Sequence, residues 1–578
     1  MISTRFAPRF TLVLVFTLAF GCQSQADGAA ADTQADWPHG GMISAANPHA
    51  AAAGAAMLER NGHAVDAAIA AHLVLGLVEP QSSGLGGGAF LLAYERRQDA
   101  LKFYDGREMA PASATVDMFM QDGEVMGFID AWQSGLAVGV PGVVALYKRA
   151  HDEYGRLPWA DLFDPAIELA EKGFRVSPRL ANWLVRLQNI GRLSINPDTA
   201  AYFYPGGEPL PVDHLLVNEA YARTLERIAA EGPTAFYQGD IAAEIVDAVS
   251  RPPNSGGLSL DDFADYRVIE RPVVCGEFRS NRICTTTPPS SGGAQIMIAG
   301  IYDHLVSEAS DPMARIASFV DAQRLAYADR DHYFADPDAV DVSLEDLLNP
   351  TYLRHRAEHK FAPDEPVSPG NPGLVLRGVG SDDFAPDTTE EAAGTTHLSV
   401  VDRDGNAVSM TATIEAPFGS SRWAHGFLLN NELTDFAREY DPEAPPQANA
   451  VRPRTRPRSS MSPTMIFDAN GGLRMVTGSP GGNSIPAYVA KSILGVLDWS
   501  LSPQAALDHA NIIARGDTVR VEVSVESGPE IAAFLKQQGY SVQEREGENS
   551  GLHVILVGEN GLVGAADKRR EGEAIAVP

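Results

Sequence analysis

The sequence predicts an α+β fold in which a pair of antiparallel sheets is covered by helices. Three observations carry that expectation. Hairpin signals cluster after residue 394, at Asp404-Gly405, Asn470-Gly471 and Asn560-Gly561. Helical periodicity recurs in both halves of the chain. Beyond the N-terminus no run of 18 apolar residues occurs, which excludes a bundle of membrane helices. Composition agrees, because 44% apolar and 21% charged residues in a chain of 578 exclude wholesale disorder. A net charge of −30 argues against a nucleic-acid partner, which requires clustered cations.

At the N-terminus, Arg5 and Arg9 precede the apolar run Phe10 to Phe20, followed by Gly21 and Cys22. Residues 1–22 therefore read as an export signal. Lipidation of Cys22, as in bacterial lipoproteins, and plain cleavage after Ser24-Gln25-Ala26 both remain open; Gln23 after a lipidated Cys22 points to the outer membrane of the periplasm. Residues 23–40, rich in Ala, Asp, Gln and Gly, read as a flexible tether. Two helices follow between Pro48 and Leu77, broken at Asn61-Gly62, and their alanines (Ala64, Ala67, Ala68, Ala71) suit close packing. Further helices are predicted over Trp159–Lys172, Asn218–Glu231, Ile241–Val249, Gly293–Val306 and Asp311–Phe334. Cys275 and Cys284 flank a hairpin expected to turn at Ser280-Asn281, a register that leaves the sulfurs diagonal and a disulfide open. Residues 361–394 are rich in Pro, Gly and acids and read as exposed, mobile and open to cutting. After them the texture turns to β: His397–Val401 and Ala407–Ile414 flank Asp404-Gly405, and helices are expected at Pro486–Leu497 and Pro529–Gln538.

Chemistry gathers at the seam Gly394-Thr395-Thr396-His397. With a two-residue hairpin loop Thr396 pairs with Thr413; with a three-residue bulged loop Thr413 lies diagonal to Thr395. Either register brings a second hydroxyl back to the seam. Gly478-Ser479-Pro480-Gly481-Gly482 is a Gly-rich turn between a strand and a helix, which aims backbone N–H groups at an anion. No Gly-Lys-Ser/Thr follows, so an oxyanion hole is a better reading than a phosphate loop. Asn430-Asn431-Glu432-Leu433-Thr434-Asp435 closes a strand, and Arg458-Ser459-Ser460 presents two adjacent hydroxyls suited to a carboxylate. No residues have metal-ligand spacing and no cofactor motif is present, so neither is expected.

These elements, together with Glu79-Pro-Gln-Ser-Ser-Gly-Leu-Gly-Gly-Gly88, Asp105-Gly-Arg-Glu-Met-Ala-Pro111, Val140-Pro-Gly142 and Pro288-Pro-Ser-Ser-Gly-Gly293, give a chain that resembles the gamma-glutamyltranspeptidase (glutathione hydrolase) family from about Gly40 to the C-terminus. The resemblance implies an N-terminal-nucleophile hydrolase with a four-layer αββα core. It implies self-cleavage at Gly394-Thr395 into a large subunit (41–394) and a small one (395–578) that form a heterodimer. Thr395 matches the nucleophile, whose freed α-amine serves as its base, and Thr413 the threonine that supports it. Gly481 and Gly482 match the oxyanion pair. Arg107, Ser459 and Ser460 match the groups that hold the glutamyl α-carboxylate, and Glu432 and Asp435 those that hold its ammonium. Glutathione and other γ-glutamyl compounds are the implied donors, with water, amino acids or dipeptides as acceptors. Because the amine is the base, His397 is not required as one.

Two departures stand out. Glu415 replaces the Asn of well-known members two residues after the second threonine, adding a third acid to the ammonium pocket. Three acids there require a cation or a proton, which favours a substrate with a free α-amine over a glutaryl one. The lid stretch from Ala437 through Tyr440 to Asn449 is shorter than in well-known bacterial members, so hydrolysis is expected to exceed transfer. The alternatives are a glutaryl β-lactam acylase of the same fold, and an unprocessed, lipid-anchored binding protein.

Overall fold

The computed structural model describes Met1 and residues 37–578 apart from positions 308, 360 and 381–383. The leader, Cys22 and most of the 23–40 tether lie outside the described residues. Thirteen strands build two large sheets: Gly41–Ala45 (β1), Gly88–Glu95 (β2), Ala100–Gly106 (β3), Ile269–Arg271 (β4), Val273–Phe278 (β5), Asn281–Thr286 (β6), Thr395–Val401 (β7), Ala407–Thr413 (β8), Thr464–Phe467 (β9), Leu473–Gly478 (β10), His553–Gly558 (β11), Gly561–Ala566 (β12) and Glu573–Val577 (β13). One sheet has the order β13-β1-β7-β8-β2-β3-β4 and the other β12-β11-β10-β9-β6-β5. Neighbouring strands in both are antiparallel.

The sheets pack face to face, β10 lying against β7 and β8. Helices Pro48–Glu59 (α1) and Ala64–Val78 (α2) cover the first sheet, and Gly292–Leu305 (α3) and Ile485–Leu497 (α5) cover the second, with Pro312–Tyr333 (α4) packed on α3. This is the four-layer αββα arrangement. Period-two alternation builds it: Leu91 and Ala93 of β2 join the core under α1 and α2, while Phe90, Leu92 and Tyr94 join the core between the sheets. Every residue of α2 is buried, which its alanines permit. The break between α1 and α2 is a C-cap in which Asn61 has φ 64° and the Gly62 N–H reaches the Met57 carbonyl at 2.9 Å. No helix among the described residues is long and apolar enough to cross a membrane.

Three expectations are corrected. The β7–β8 turn holds three residues, closed by the Asp402 N–H to the Asn406 carbonyl at 2.9 Å, and it sets Thr395 directly opposite Thr413 rather than diagonal to it. The β5–β6 hairpin turns one residue earlier than expected, with Phe278 paired to Asn281. That register brings Cys275 opposite Cys284, and the two form a disulfide. Residues 387–394 are not a loose linker. Asp387, Thr389, Glu391 and Gly394 are buried, because arginines of the core receive the acids.

Candidate active site

Thr395 opens β7, a central strand buried on both faces, and is only 3% exposed. Its Oγ1 lies 3.1 Å from that of Thr413. Thr413 has one proton to give, and its geometry assigns it. The Glu415 N–H donates to Thr413 Oγ1 at 2.8 Å, and Thr413 donates onward to the Gly394 carbonyl at 3.0 Å. Thr395 is then left to donate to Thr413. Each carbonyl bracketing the Gly394–Thr395 bond thus has its own donor: Asn549 Nδ2 on Ala393 (2.9 Å), Thr413 on Gly394, and Arg570 Nη1 on Thr395 (2.6 Å). Gly394 permits this approach, since a Cβ there would lie 2.3 Å from the Glu415 carbonyl oxygen. Gly87, in the Gly-rich stretch before β2, is needed similarly: a Cβ would sit 2.0 Å from the Thr413 carbonyl oxygen.

Thr395 and Thr413 share one small cavity with Arg107, Glu415, Glu432, Asp435, Ser459, Ser460 and Gly482. All of these come from the sequence expectation, and Gly481 flanks them on the same turn. The arrangement of the charges differs from the expectation. Arg107, just after β3, pairs with Glu432 through Nη1 and with Asp435 through Nη2 at 2.7 Å, so it sits on the acids assigned to the ammonium. The physical reason is that two fully buried carboxylates are too costly without a cation, and Arg107 is the one within reach. Burial pushes both acids well above the ordinary carboxylate range, and the neighbouring charges of Glu108 (on Glu432) and Glu415 (on both) push them further. Burial likewise raises Glu415 to about 7, although its oxygens accept from the Ala392 N–H (2.6 Å) and from Asn431 Nδ2. Glu415 is therefore in the cavity, as expected, but it is tied to the chain that precedes the seam.

Sequence reasoning missed three participants. Glu108, fully buried beside Arg107, is a fourth acid, raised to about 7 by burial; its place in the Asp105–Pro111 motif was its one signal. Glu391, four residues before Thr395, accepts from the Ser460 N–H at 2.8 Å and pairs with Arg330. Arg330, on α4, also donates to Ser460 Oγ (2.7 Å) and Ser291 Oγ (2.9 Å). Burial opposes the Glu391 charge, but Arg330 and Arg458 outweigh it and hold the carboxyl below its usual range. The Pro288–Gly293 motif buttresses this corner, since Ser291 donates to the Ser459 carbonyl at 2.7 Å and Ser459 donates through its N–H to the Pro289 carbonyl at 2.8 Å.

The tail 391–394 lines the cavity through Glu391 and Ala392, and about 10 Å³ stays open, close to the room one water needs. Its carbonyls cross Gly482, where φ is 56° and a Cβ would meet the Glu391 oxygen at 2.3 Å. Beside the cavity, His397 turns between the sheets to Thr411 Oγ1 (2.8 Å) and Ser399 Oγ (3.1 Å). Burial holds it well below the usual histidine range, so it is neutral and structural.

Comparison with known proteins identifies the family. The family described as Gamma-glutamyltranspeptidase matches residues 50–577. The Glutathione hydrolase proenzyme of Escherichia coli K12 is 35% identical over 551 residues, covering 92% of this chain and 90% of the relative. The protein of the same name from Bacillus subtilis 168 is 34% identical, covering 94% and 92%. Among solved structures, a cephalosporin acylase from Bacillus halodurans superposes with a TM-score of 0.80 at 25% identity, covering 96% of this chain and 99% of the other. The fold agrees with a match that runs along nearly the whole chain: it belongs to the gamma-glutamyltranspeptidase family of enzymes.

Proposed function

We propose that the chain is an exported, self-cleaving enzyme that opens γ-glutamyl amides through a Thr395 acyl-enzyme, with glutathione as a donor. The observation that carries this reading is the seam itself: two hydroxyls 3.1 Å apart, one donating to the carbonyl of the Gly394–Thr395 bond. In the precursor, Thr395 Oγ1 attacks the Gly394 carbonyl carbon while Thr413 polarises its oxygen. The peptide nitrogen leaves as the α-amine of Thr395, and water opens the resulting ester. That amine, with an ordinary pKa of about 7.7–8.0, then takes the proton of its own hydroxyl for attack on substrate. Gly481 and Gly482 supply the oxyanion donors, one such donor contributing about 2.7–4 kcal/mol to the transition state.

Ser459 and Ser460 receive the substrate α-carboxylate, a role supported by the carboxylate that Glu391 already lays on the Ser460 amide. Arg107, which pairs with Glu432 and Asp435 in the uncut chain, serves the same carboxylate, and those two acids hold the ammonium. A substrate ammonium would also relieve the excess of acids around Arg107, which favours γ-glutamyl over glutaryl donors. N-terminal sequencing of the small fragment, expected to begin Thr395-Thr396-His397, tests the nucleophile and the subunit division together. Turnover of a γ-glutamyl anilide but not of a glutaryl one separates this reading from the acylase alternative; the reverse preference refutes it.

Two further outcomes follow from the departures in the site. Glu415→Asn is expected to raise the KM for a γ-glutamyl anilide several-fold with a smaller change in kcat, since one acid facing the ammonium is lost; an unchanged KM counts against the third acid. With the stretch 437–449 reduced, the acyl-enzyme is open to water, so free glutamate is expected to be the main product even with glycylglycine present. Dominant formation of γ-glutamylglycylglycine would refute that.

A further inference from the structure

A second cavity, of about 160 Å³, shares no lining residue with that of Thr395. Three arginines from separate segments line it: Arg192, Arg251 just past the helix Asp240–Ser250, and Arg422 just before the short strand Trp423–Ala424. Asp198 is the one acid among its lining residues. It stands 3.7 Å from Arg251, which Asp247 also engages at 2.6 Å. Arg251 is thus compensated, and the other two arginines are not. Arg192 donates through its backbone N–H to Gln133 Oε1 at 2.8 Å, while its guanidinium has no ion pair among the described residues. Arg422 is 7% exposed and has no carboxylate partner among them either. Its guanidinium donates to the carbonyls of Ala248, Arg251 and Pro253, the last two at 3.0 Å, and its Nε has no hydrogen-bond partner there. Burial, with Arg192 and Arg251 adding to it, lowers Arg422 to about 10.

A buried cation that meets only carbonyls keeps its charge uncompensated, and a concave wall of like charge draws in an anion that offsets it. The cavity is smaller than the roughly 300 Å³ at which pockets for drug-sized ligands begin, so its ligand is small. Guanidinium groups suit oxyanions through their forked donors. Here three of them come from three segments, and a tetrahedral oxyanion offers oxygens to all, where a planar carboxylate offers two. We propose that this cavity binds one small dianionic oxyanion, inorganic phosphate or sulfate, between Arg192, Arg251 and Arg422. Arg192 and Arg251 donate to it, and Arg422, largely covered, contributes its charge. The site is independent of the reading of Thr395 as nucleophile. Under the proposed self-cleavage, Arg192 and Arg251 fall on the large subunit and Arg422 on the small one, so the anion ties the two together.

The test is equilibrium dialysis of radiolabelled inorganic phosphate against the full chain, with ionic strength held constant by sodium chloride. About one phosphate is expected to bind per chain and to raise the melting midpoint as its concentration rises. Unlabelled sulfate should displace it, and glutamate at the same concentration should not. Arg192→Ala, at a half-exposed position, should weaken binding about tenfold while leaving the melting midpoint in phosphate-free buffer unchanged. Arg251→Ala, at an exposed position, should weaken it by a similar factor, so the test survives if one variant folds poorly. Arg545→Ala, in a separate cation-lined cleft, should bind phosphate as the parent does. No binding at about 10 mM phosphate overturns the site. So do displacement by glutamate, an affinity unchanged in the Arg192 and Arg251 variants, and a loss caused by Arg545→Ala instead.

Discussion

Thr395→Ala is expected to yield one unbroken chain that turns over no γ-glutamyl donor, a loss of about 10⁴-fold or more. Neither neighbouring threonine can take its place. Thr413 lies 3.1 Å away, but its oxygen already accepts the Glu415 N–H and its proton is committed to the Gly394 carbonyl. Thr396 points to the other face of β7, as strand alternation requires. A denaturing gel and intact-mass measurement report the cleavage; an anilide assay reports turnover. Thr395→Ser should restore both in part, since it keeps the oxygen and loses one methyl group. An alanine variant that still divides into two fragments, or an unbroken one with full activity, would remove Thr395 from the mechanism.

Thr413→Ala should slow cleavage of the chain about 10²–10³-fold, the usual result of removing one donor from a developing oxyanion. Two effects combine. The Gly394 carbonyl loses the hydroxyl that polarises it, and the Thr395 proton loses its acceptor. The Glu415 N–H is also left without a partner in a buried place, which costs a further 1–3 kcal/mol or so of stability. The experiment must therefore separate reactivity from folding. A thermal melt records the stability change, and a time course of fragment appearance records the rate. Thr413→Ser, keeping the hydroxyl, should cleave near the parent rate. Cleavage of the alanine variant at the parent rate would show that the 3.0 Å contact with Gly394 is incidental.

Much of this site was legible in the sequence because its parts are local. A Gly-Thr step at the start of a strand, a hairpin that returns a second threonine, and a Gly-Gly turn between strand and helix each rest on short-range rules, and the cavity contains them together. Turn geometry was the weak point. A two-residue reading at Asp404-Gly405 misplaces Thr413 by one position, and the same kind of slip at Ser280-Asn281 separates two cysteines that in fact oppose each other. The stretch before Thr395 was misread for a different reason. Its Pro, Gly and acidic residues carry the composition of a solvated loop, and composition is blind to partners. Glu391 is buried because Arg330 is there, 61 residues earlier on another element, and no local pattern announces such a pair. The role of Arg107 beside Glu432 and Asp435 is equally non-local, set by where β3 ends relative to the one-turn helix Glu432–Asp435.

In the proposed scheme, the segment lying across Gly482 gives the uncut molecule a built-in timer. As long as Glu391 rests on Ser460, a free glutamyl compound must compete with a carboxylate tethered in place, whose effective concentration is of millimolar order or higher. Dilution cannot dislodge that rival, because it belongs to the same chain. Under the proposed self-cleavage, catalytic competence begins as a single, irreversible event in the life of each molecule, set by its own bond chemistry.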